Sequence, residues 1–259
     1  RTASLLGAPM RNGASPQPRW IPSSLGRAGG GLKPSMSLSP SVLFRAPSII
    51  VIDKPFGVRM DGDFEDTVER LIKTIVPGKA RFIHQLDFAT SGTLMLGLDK
   101  ACTARVNAHF ERGEVRKEYL ALLEGILEDS TTVEAPICRY EGEATLPPRG
   151  PPGTHGKSKD FRMMIGEGSA ENPGRLSTTH IEPLTQGIYQ GRPVTRAVLR
   201  PISGRRHQLR LHTRHIGHEI VGDFTYSCDR ERARNCDRMM LHASRIEMPW
   251  HDSYGECLR

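Results

Sequence analysis

One segment decides the fold, and it reads His84-Gln85-Leu86-Asp87-Phe88-Ala89-Thr90-Ser91-Gly92. It follows the apolar pair Phe82-Ile83 and precedes a largely apolar run, Leu94–Leu98. A lone acidic residue, Asp87, stands among small and turn-forming residues, an arrangement typical of an active-site loop. The alternative is structural, because an aspartate in a turn usually binds a neighbouring backbone group.

Secondary-structure signals extend outward from this segment in both directions. Apolar runs and alternation predict strands, and helical spacing with a capping residue predicts helices. The predicted elements are strands at Ile49–Ile52, Leu94–Leu98, Val115–Leu123, Thr179–Leu184, Val194–Pro201 and Leu241–Met248, a helix over Phe64–Ile75 capped by Asp63, a helix capped by Asp99 that runs to about Gly113, and a helix at His207–Ile216 ended by Gly217. Strands and helices mix without regular βαβ alternation, which predicts an α+β fold.

Charge divides the chain at about residue 48. The net charge of +7 is the sum of 36 Lys and Arg against 29 Asp and Glu. Residues 1–48 hold six basic side chains and no acid, so residues 49–259 carry 30 basic and 29 acidic residues, or +1. The first part is also rich in Ser, Pro and Gly, which predicts a disordered leader. Its composition fits an organelle transit peptide, for mitochondrion or plastid, and the alternative is a low-complexity leader of a cytoplasmic or nuclear protein.

Two further stretches are unusual in composition. Residues 141–175 are rich in Gly and Pro, which predicts a long loop or insertion within the domain of residues 49–259. Residues 187–218 contain seven Arg and no acid. Arginine presents a fork suited to phosphate oxygens, so this second stretch predicts a surface that follows a phosphate backbone. The alternative is an ordinary solvated basic face.

Several other functions are disfavoured by spacing. The five cysteines show no C-x-x-C pair, which is typical of free thiols in a reducing compartment. The histidines between His207 and His218 lack the partners of a metal site, and none is expected. Gly150–Ser158 looks like a phosphate-binding loop but has Pro151 where glycine is needed. The apolar runs are too short to span a bilayer.

A series of motifs in order resembles the RluA-type RNA pseudouridine synthases. These motifs are Asp53-Lys54-Pro55-x-Gly57, His84-x-Leu86-Asp87-x-x-Thr90-Ser91-Gly92, Lys117-Glu118-Tyr119-Leu120-Ala121, Gly204-Arg205-Arg206-His207-Gln208-Leu209-Arg210-x-His212, Gly222-Asp223-x-x-Tyr226 and Leu241-His242-Ala243. Gln85, with Gly187-x-Tyr189-x-Gly191, further resembles the eukaryotic RNA pseudouridylate synthase domain-containing branch.

The resemblance implies a fold and a reaction. The fold is a mixed, mostly antiparallel central sheet flanked by helices. The reaction is isomerisation of uridine to pseudouridine in RNA (tRNA, rRNA or mRNA) by a monomer, without a cofactor. The implied catalytic residues are Asp87 as the nucleophile, Arg205 as its cationic partner, and Tyr119, which stacks on the uracil and assists proton transfer. An inactive RNA-binding protein that keeps the fold is the alternative.

The resemblance also implies a set of substrate-binding residues. They are His84, Gln85, Thr90, Arg206, His207, Gln208, Arg210, Ile220 and Val221. Many relatives have Arg where this chain has Gln85. Because the target base must leave its stack to reach a pocketed aspartate, either His84 or Arg206 assists flipping here, or the substrate is already unstacked.

Overall fold

The fold is a single large sheet with short helices, seen in a computed structural model that describes residues 2–6, 40–142 and 161–249. The strands are β1 Thr2–Leu6, β2 Ser41–Arg45, β3 Ile49–Lys54, β4 Arg81–Phe82, β5 Ser91–Gly97, β6 Arg116–Glu124, β7 Thr131–Arg139, β8 Met163–Ile165, β9 Arg175–Tyr189, β10 Arg192–Pro201 and β11 Leu241–Pro249. The helices are α1 Val68–Ile72, α2 Lys100–Glu111, α3 Gln208–His215 and α4 Arg230–Arg234.

The sheet has the order β2-β3-β5-β11-β6-β10-β9-β7-β8, with β4 paired to β5 and β1 paired to β11. Among the strands that the structure describes, β5 and β11 form the one parallel pair, and the other pairs are antiparallel. The predicted α+β fold with a mixed, mostly antiparallel sheet is therefore confirmed.

Alternation along β3 explains how the sheet is covered on both faces. Ile50 and Ile52 pack in one buried cluster with Val68 and Ile72 of α1. Ile49 and Val51 pack in another, with Cys102 and Val106 of α2. Because successive side chains of a strand point to opposite faces, α1 and α2 cover opposite sides of the sheet. A strand buried on both faces needs the continuous apolar run that predicted it.

Most predicted elements are confirmed, and the capping residues show where the prediction was wrong. Asp99 caps α2, since its Oδ1 accepts from the Cys102 amide at 2.7 Å. Asp63 does not cap α1. Thr67 does, with its Oγ1 accepting from the Arg70 amide at 3.2 Å, and the helix is one short turn. Asp63 instead forms an exposed ion pair with Arg70 at 3.4 Å.

The predicted leader boundary lies too late. Ser41–Arg45 forms β2 and pairs with β3, although both Val42 and Leu43 are exposed. Backbone hydrogen bonding to β3 at the edge of the sheet stabilises this segment. Amino-acid composition cannot predict such pairing. Thr2–Leu6 also pairs with β11, from Thr2 opposite Pro249 to Leu6 opposite Arg245. The rest of the predicted leader, residues 7–39, lies outside the described residues.

The predicted insertion is partly regular structure. Met163–Ile165 pairs with β7, and β9 begins at Arg175. Residues 143–160, which include the loop-like Gly150–Ser158, lie outside the described residues. Of the cysteines, Cys102, Cys138, Cys228 and Cys236 are free thiols, as predicted, and Cys257 lies outside the described residues. Within the described ranges, no helix is long and apolar enough to cross a membrane.

Candidate active site

A cavity of about 850 Å³ opens where the loop before β5 meets β6 and the N-terminal end of α3. Asp87, Tyr119 and Arg210 line it. The side chain of Asp87 is 25% exposed, whereas that of Arg210 is 5% exposed. The cavity therefore offers solvent and substrate a carboxylate whose cationic partner is buried behind it.

The loop that carries Asp87 is fixed from below by a buried lysine. Lys54 is fully buried, and its Nζ donates to the carbonyl oxygens of Thr90 at 2.9 Å, Pro55 at 3.0 Å and Phe88 at 3.5 Å. Burial lowers the pKa of Lys54 to about 8, against the opposing influence of Asp87. Three carbonyl acceptors satisfy the ammonium group, which makes the burial tolerable. The loop is thus held to the end of β3.

A glycine permits the close approach of strands beneath the same loop. Gly92 has a φ of +112°, and a Cβ there would lie 2.7 Å from the backbone nitrogen of Ala243 on β11 and closer still to its carbonyl oxygen. A residue with a side chain would have to separate β5 from β11. The glycine at the end of the quoted segment, Gly92, is therefore a packing requirement.

Arg210 is the cationic partner of Asp87. Its Nη1 lies 3.3 Å from Asp87 Oδ2, while Nε and Nη2 bind both oxygens of Asp223 at 2.7 and 2.6 Å. Burial alone would lower the pKa of the Arg210 guanidinium, but the adjacent Asp223 carboxylate outweighs it and raises that pKa. Asp223 also accepts from the amides of Thr225 and Tyr226. The guanidinium is consequently held in one orientation toward Asp87.

The prediction that Arg205 pairs with Asp87 is wrong. Arg205 is exposed at the cavity rim, and in the described part of the chain its guanidinium forms no ion pair with Asp87. Arg205 precedes α3, whereas Arg210 lies within it on the side that faces Asp87. No local signal distinguishes the two arginines, because both lie in the same acid-free stretch and the docking of α3 decides which of them faces Asp87.

His207 is the second group beside Asp87, and its hydrogen bonds define its tautomer. The Tyr226 hydroxyl accepts from the Met163 amide at 2.8 Å and lies 2.6 Å from His207 Nδ1. Donation by Tyr226 to Nδ1 gives the buried hydroxyl proton an acceptor. The His207 proton then lies on Nε2, which is 3.9 Å from Asp87 Oδ1. The opposite tautomer would turn a lone pair toward the carboxylate.

His207 is neutral in this arrangement. Burial lowers its pKa to about 4, despite the opposing influence of Asp87. Its backbone has φ 56°, in the left-handed region that residues other than glycine rarely adopt. Such a conformation costs of the order of 1 kcal/mol and tends to occur at functional sites. His207 has this conformation at the N-terminal end of α3, next to Asp87.

Tyr119 lines the cavity from β6, as predicted, and packs against two apolar clusters. Burial, together with the Asp87 charge, raises the pKa of the Tyr119 phenol. The hydroxyl is therefore protonated at neutral pH and can donate a hydrogen bond. Lys117 lines the same wall, with Nζ donating to the Ser203 carbonyl at 3.2 Å, and burial lowers its pKa.

The predicted substrate-binding residues fall into two groups. Gln85 and Arg206 are exposed at the cavity, and Arg206 lies 5.9 Å from the ring centroid of Phe161. His84 also lines the cavity, but its Nε2 accepts from the Met95 amide at 3.0 Å, and burial lowers its pKa to about 4. Thr90 is 2% exposed. Hence the side chains of Gln85 and Arg206 are open to the cavity, whereas His84 is held by a backbone hydrogen bond and Thr90 is buried.

Three other predicted substrate-binding residues make their contacts within the protein. Gln208 lines the cavity, but its amide is satisfied internally, accepting from Ser203 and the Arg205 amide and donating to Thr178 and Thr179. Ile220 and Val221 do not line the cavity, and each belongs to a separate buried cluster. The prediction that they form its apolar wall is wrong. That wall includes Leu86, Leu209 and Leu241.

The site also uses residues to which the sequence assigned no role. These are Lys54, Asp223 and Tyr226, all within the quoted motifs. Their contacts join segments far apart in the chain, so local spacing could not reveal them. Among the described residues, no group of three or more His, Cys, Asp or Glu side chains is arranged to hold a metal ion.

Known proteins are similar to this chain in sequence and in fold. The family model for RNA pseudouridylate synthase matches residues 48–215. RNA pseudouridylate synthase domain-containing protein 1 of Danio rerio is 36% identical over 235 residues, covering 85% of this chain and 74% of that protein. Dual-specificity RNA pseudouridine synthase RluA of Escherichia coli (strain K12) is 29% identical over 222 residues, covering 84% and 90%. The solved structure of Human RNA Pseudouridylate Synthase Domain Containing 1 superposes with a TM-score of 0.66 at 36% identity, covering 82% of this chain and 79% of that one.

The chain therefore belongs to the RNA pseudouridylate synthase family. It is an RNA pseudouridine synthase of the RluA type, and it is similar to the domain-containing branch that its motifs predicted.

Proposed function

We propose that this chain isomerises uridine to pseudouridine in RNA with Asp87 as its nucleophile and without a cofactor. One observation carries the proposal: a partly exposed carboxylate faces an 850 Å³ cavity while its cationic partner is buried beside it. A nearby guanidinium favours the ionised form of a carboxylate and fixes its direction. The family to which the chain belongs supports the reaction type.

The reaction breaks the C1′–N1 glycosidic bond, turns the base, joins C5 to C1′ and releases the C5 proton, while N1 takes up a proton. An ionised Asp87 can attack the sugar or the base, or take a sugar proton, and each of these routes uses its negative charge. Arg210 Nη1 donates to Asp87 Oδ2 at 3.3 Å, and Nε2 of His207 faces Oδ1 at 3.9 Å. The guanidinium favours the ionised carboxylate, and the neutral His207 adds no second positive charge.

Tyr119, which lines the same cavity as Asp87, forms part of the proposed uracil site. Its ring offers a face for stacking on the base. Because its pKa is raised, its hydroxyl serves first as a hydrogen-bond donor, and it can relay the C5 proton only after losing its own.

Release of tritium from RNA tests the proposal. Cellular tRNA, rRNA and mRNA pools labelled at C5 of uridine are incubated with the full chain, with Asp87→Asn, and with Asp129→Asn, an exposed aspartate outside the cavity. The full chain and Asp129→Asn release label, and Asp87→Asn reduces release by roughly 10⁴-fold, since it removes the nucleophile. Equal release by both variants contradicts the role of Asp87. RNA binding without release by the full chain selects the inactive RNA-binding protein.

A further inference from the structure

An aromatic and guanidinium stack stands at the mouth of the cavity. The Arg59 guanidinium lies 3.9 Å from the ring centroid of Phe64 and 4.8 Å from that of Phe88. All three side chains line the cavity. Phe64 is 38% exposed and Phe88 is 42% exposed. We call Arg59, Phe64 and Phe88 the rim stack.

The backbone under the rim stack is held in place from two directions. The Phe88 carbonyl accepts from the Gly57 amide at 2.8 Å and from the buried Lys54. The Arg59 carbonyl accepts from the Val68 amide at 2.8 Å, at the start of α1. The stack is therefore fixed to the same loop that carries Asp87, one residue away. A surface fixed before binding spends little conformational entropy on its ligand.

The chemistry of the rim stack favours a flat, uncharged ligand. Two exposed phenyl rings around a guanidinium present planar faces, on which nucleobases stack regardless of sequence. Asp61 lines the same cavity and is exposed, so its negative charge offsets the attraction of the Arg59 guanidinium for a phosphate. A base that enters the cavity leaves its neighbours unstacked. Those neighbours then need a new surface.

We propose that the rim stack of Arg59, Phe64 and Phe88 binds the base of a nucleotide next to the target uridine. This inference rests on the proposed function, because it assumes that the cavity receives the target. Binding energy from the neighbouring base offsets the cost of unstacking the target. The rim stack thus selects single-stranded RNA that can place two adjacent bases at different depths.

Fluorescence and affinity measurements test the rim stack without requiring turnover. The probe is a decamer of uridine with one 2-aminopurine, bound to the full chain carrying Asp87→Asn. Phe88→Leu and Arg59→Met keep apolar volume but remove a planar face. Ile188→Ala is the matched control, because Ile188 is 72% exposed and outside the cavity. Thermal unfolding of each variant confirms that it is folded.

Stacking quenches 2-aminopurine in the parent protein and in Ile188→Ala, and each rim variant reduces the quenching. The rim variants also weaken binding by roughly 5- to 100-fold, the range expected for loss of one stacked base. A decamer with an abasic ribose at that position keeps its phosphate, and it binds the parent and the rim variants equally. Equal losses for rim variants and control, or a loss that persists with the abasic decamer, overturn the proposal.

The outcome is separable from that of the proposed function. If the rim variants weaken base-dependent binding while the chain with Asp87 intact releases no tritium, the rim stack stands and the synthase reaction fails. If label is released but the rim variants match Ile188→Ala, the reaction stands and the rim stack fails.

Discussion

Arg210 shows how much one residue can be misjudged from its motif. Arg205 and Arg210 lie in the same acid-free stretch, and both are plausible partners for a carboxylate in sequence terms. Only folding shows that Arg210 is buried between Asp87 and Asp223 while Arg205 reaches the surface. Asp87 itself was predicted from its neighbours in the chain. Its partner could not be, because the direction of a side chain depends on the docking of α3.

The two arginines should differ in their effect on stability. Arg210→Met leaves the Asp223 carboxylate buried without its partner, so we expect the free energy of unfolding to fall by about 3–5 kcal/mol. Arg205→Met removes an exposed charge, and a change within about 0.5 kcal/mol is expected. Urea denaturation measures both values. A similar loss in the two variants would contradict the assignment of the buried partner.

The positions of helices and strands were predicted better than the residues that cap the helices or the strands that pair with each other. Strong apolar periodicity located β3, β5, β6, β10, β11, α2 and α3. Strand β7, Thr131–Arg139, was missed although Val133, Ala135 and Ile137 alternate as buried residues. It contains Pro136 and Glu134, which weaken a strand signal. In the structure β9 and β8 pair with it on either side. Tertiary pairing thus outweighs local propensity.

The parallel contact between β5 and β11 gives a prediction at the scale of elements. We expect Gly92→Ala to destabilise the protein by several kcal/mol, since its Cβ would meet backbone atoms of Ala243 that cannot move aside. Gly187→Ala is the matched control, because a Cβ at Gly187 meets nothing within 4 Å. Thermal unfolding of the two variants is compared. Equal melting temperatures would show that β5 and β11 can separate freely.

Across the whole molecule, the basic residues counted in a stretch of sequence are more numerous than the unpaired basic side chains that reach the surface. The acid-free stretch of residues 187–218 predicted a face for phosphate. Three of its arginines are paired with acids from other segments: Arg192 with Asp229, Arg200 with Glu118 and Glu182, and Arg210 with Asp223 and Asp87. Arg205, Arg206 and Arg214 are exposed. The phosphate-binding prediction is therefore confined to fewer residues than the sequence suggested.

Buried histidines make the whole molecule sensitive to acid. Burial lowers the pKa values of His84, His207 and His212 to about 4 from a reference of 6.5. As pH falls below 6.5 the unfolded chain binds protons first, so stability is lost between pH 6.5 and 4. At pH 5 each histidine costs about 2 kcal/mol relative to pH 7.

Urea unfolding between pH 7 and 5 measures this loss. His207→Gln removes one of these titrating groups and should make the slope shallower. His180→Gln, at an exposed histidine, is the matched control. A stability that is flat across this range would contradict the neutral state assigned to the buried histidines.

The position of β11 has a consequence for the order in which the protein is assembled. This strand is the last described element, yet it lies in the interior of the sheet, with β5 on one side and β6 on the other. Until residues 241–249 have been synthesised, the emerging chain holds two half-sheets with open edges. Such edges readily recruit other chains. A chain that ends before Leu241 therefore lacks both the strand that joins the two half-sheets and one wall residue of the cavity.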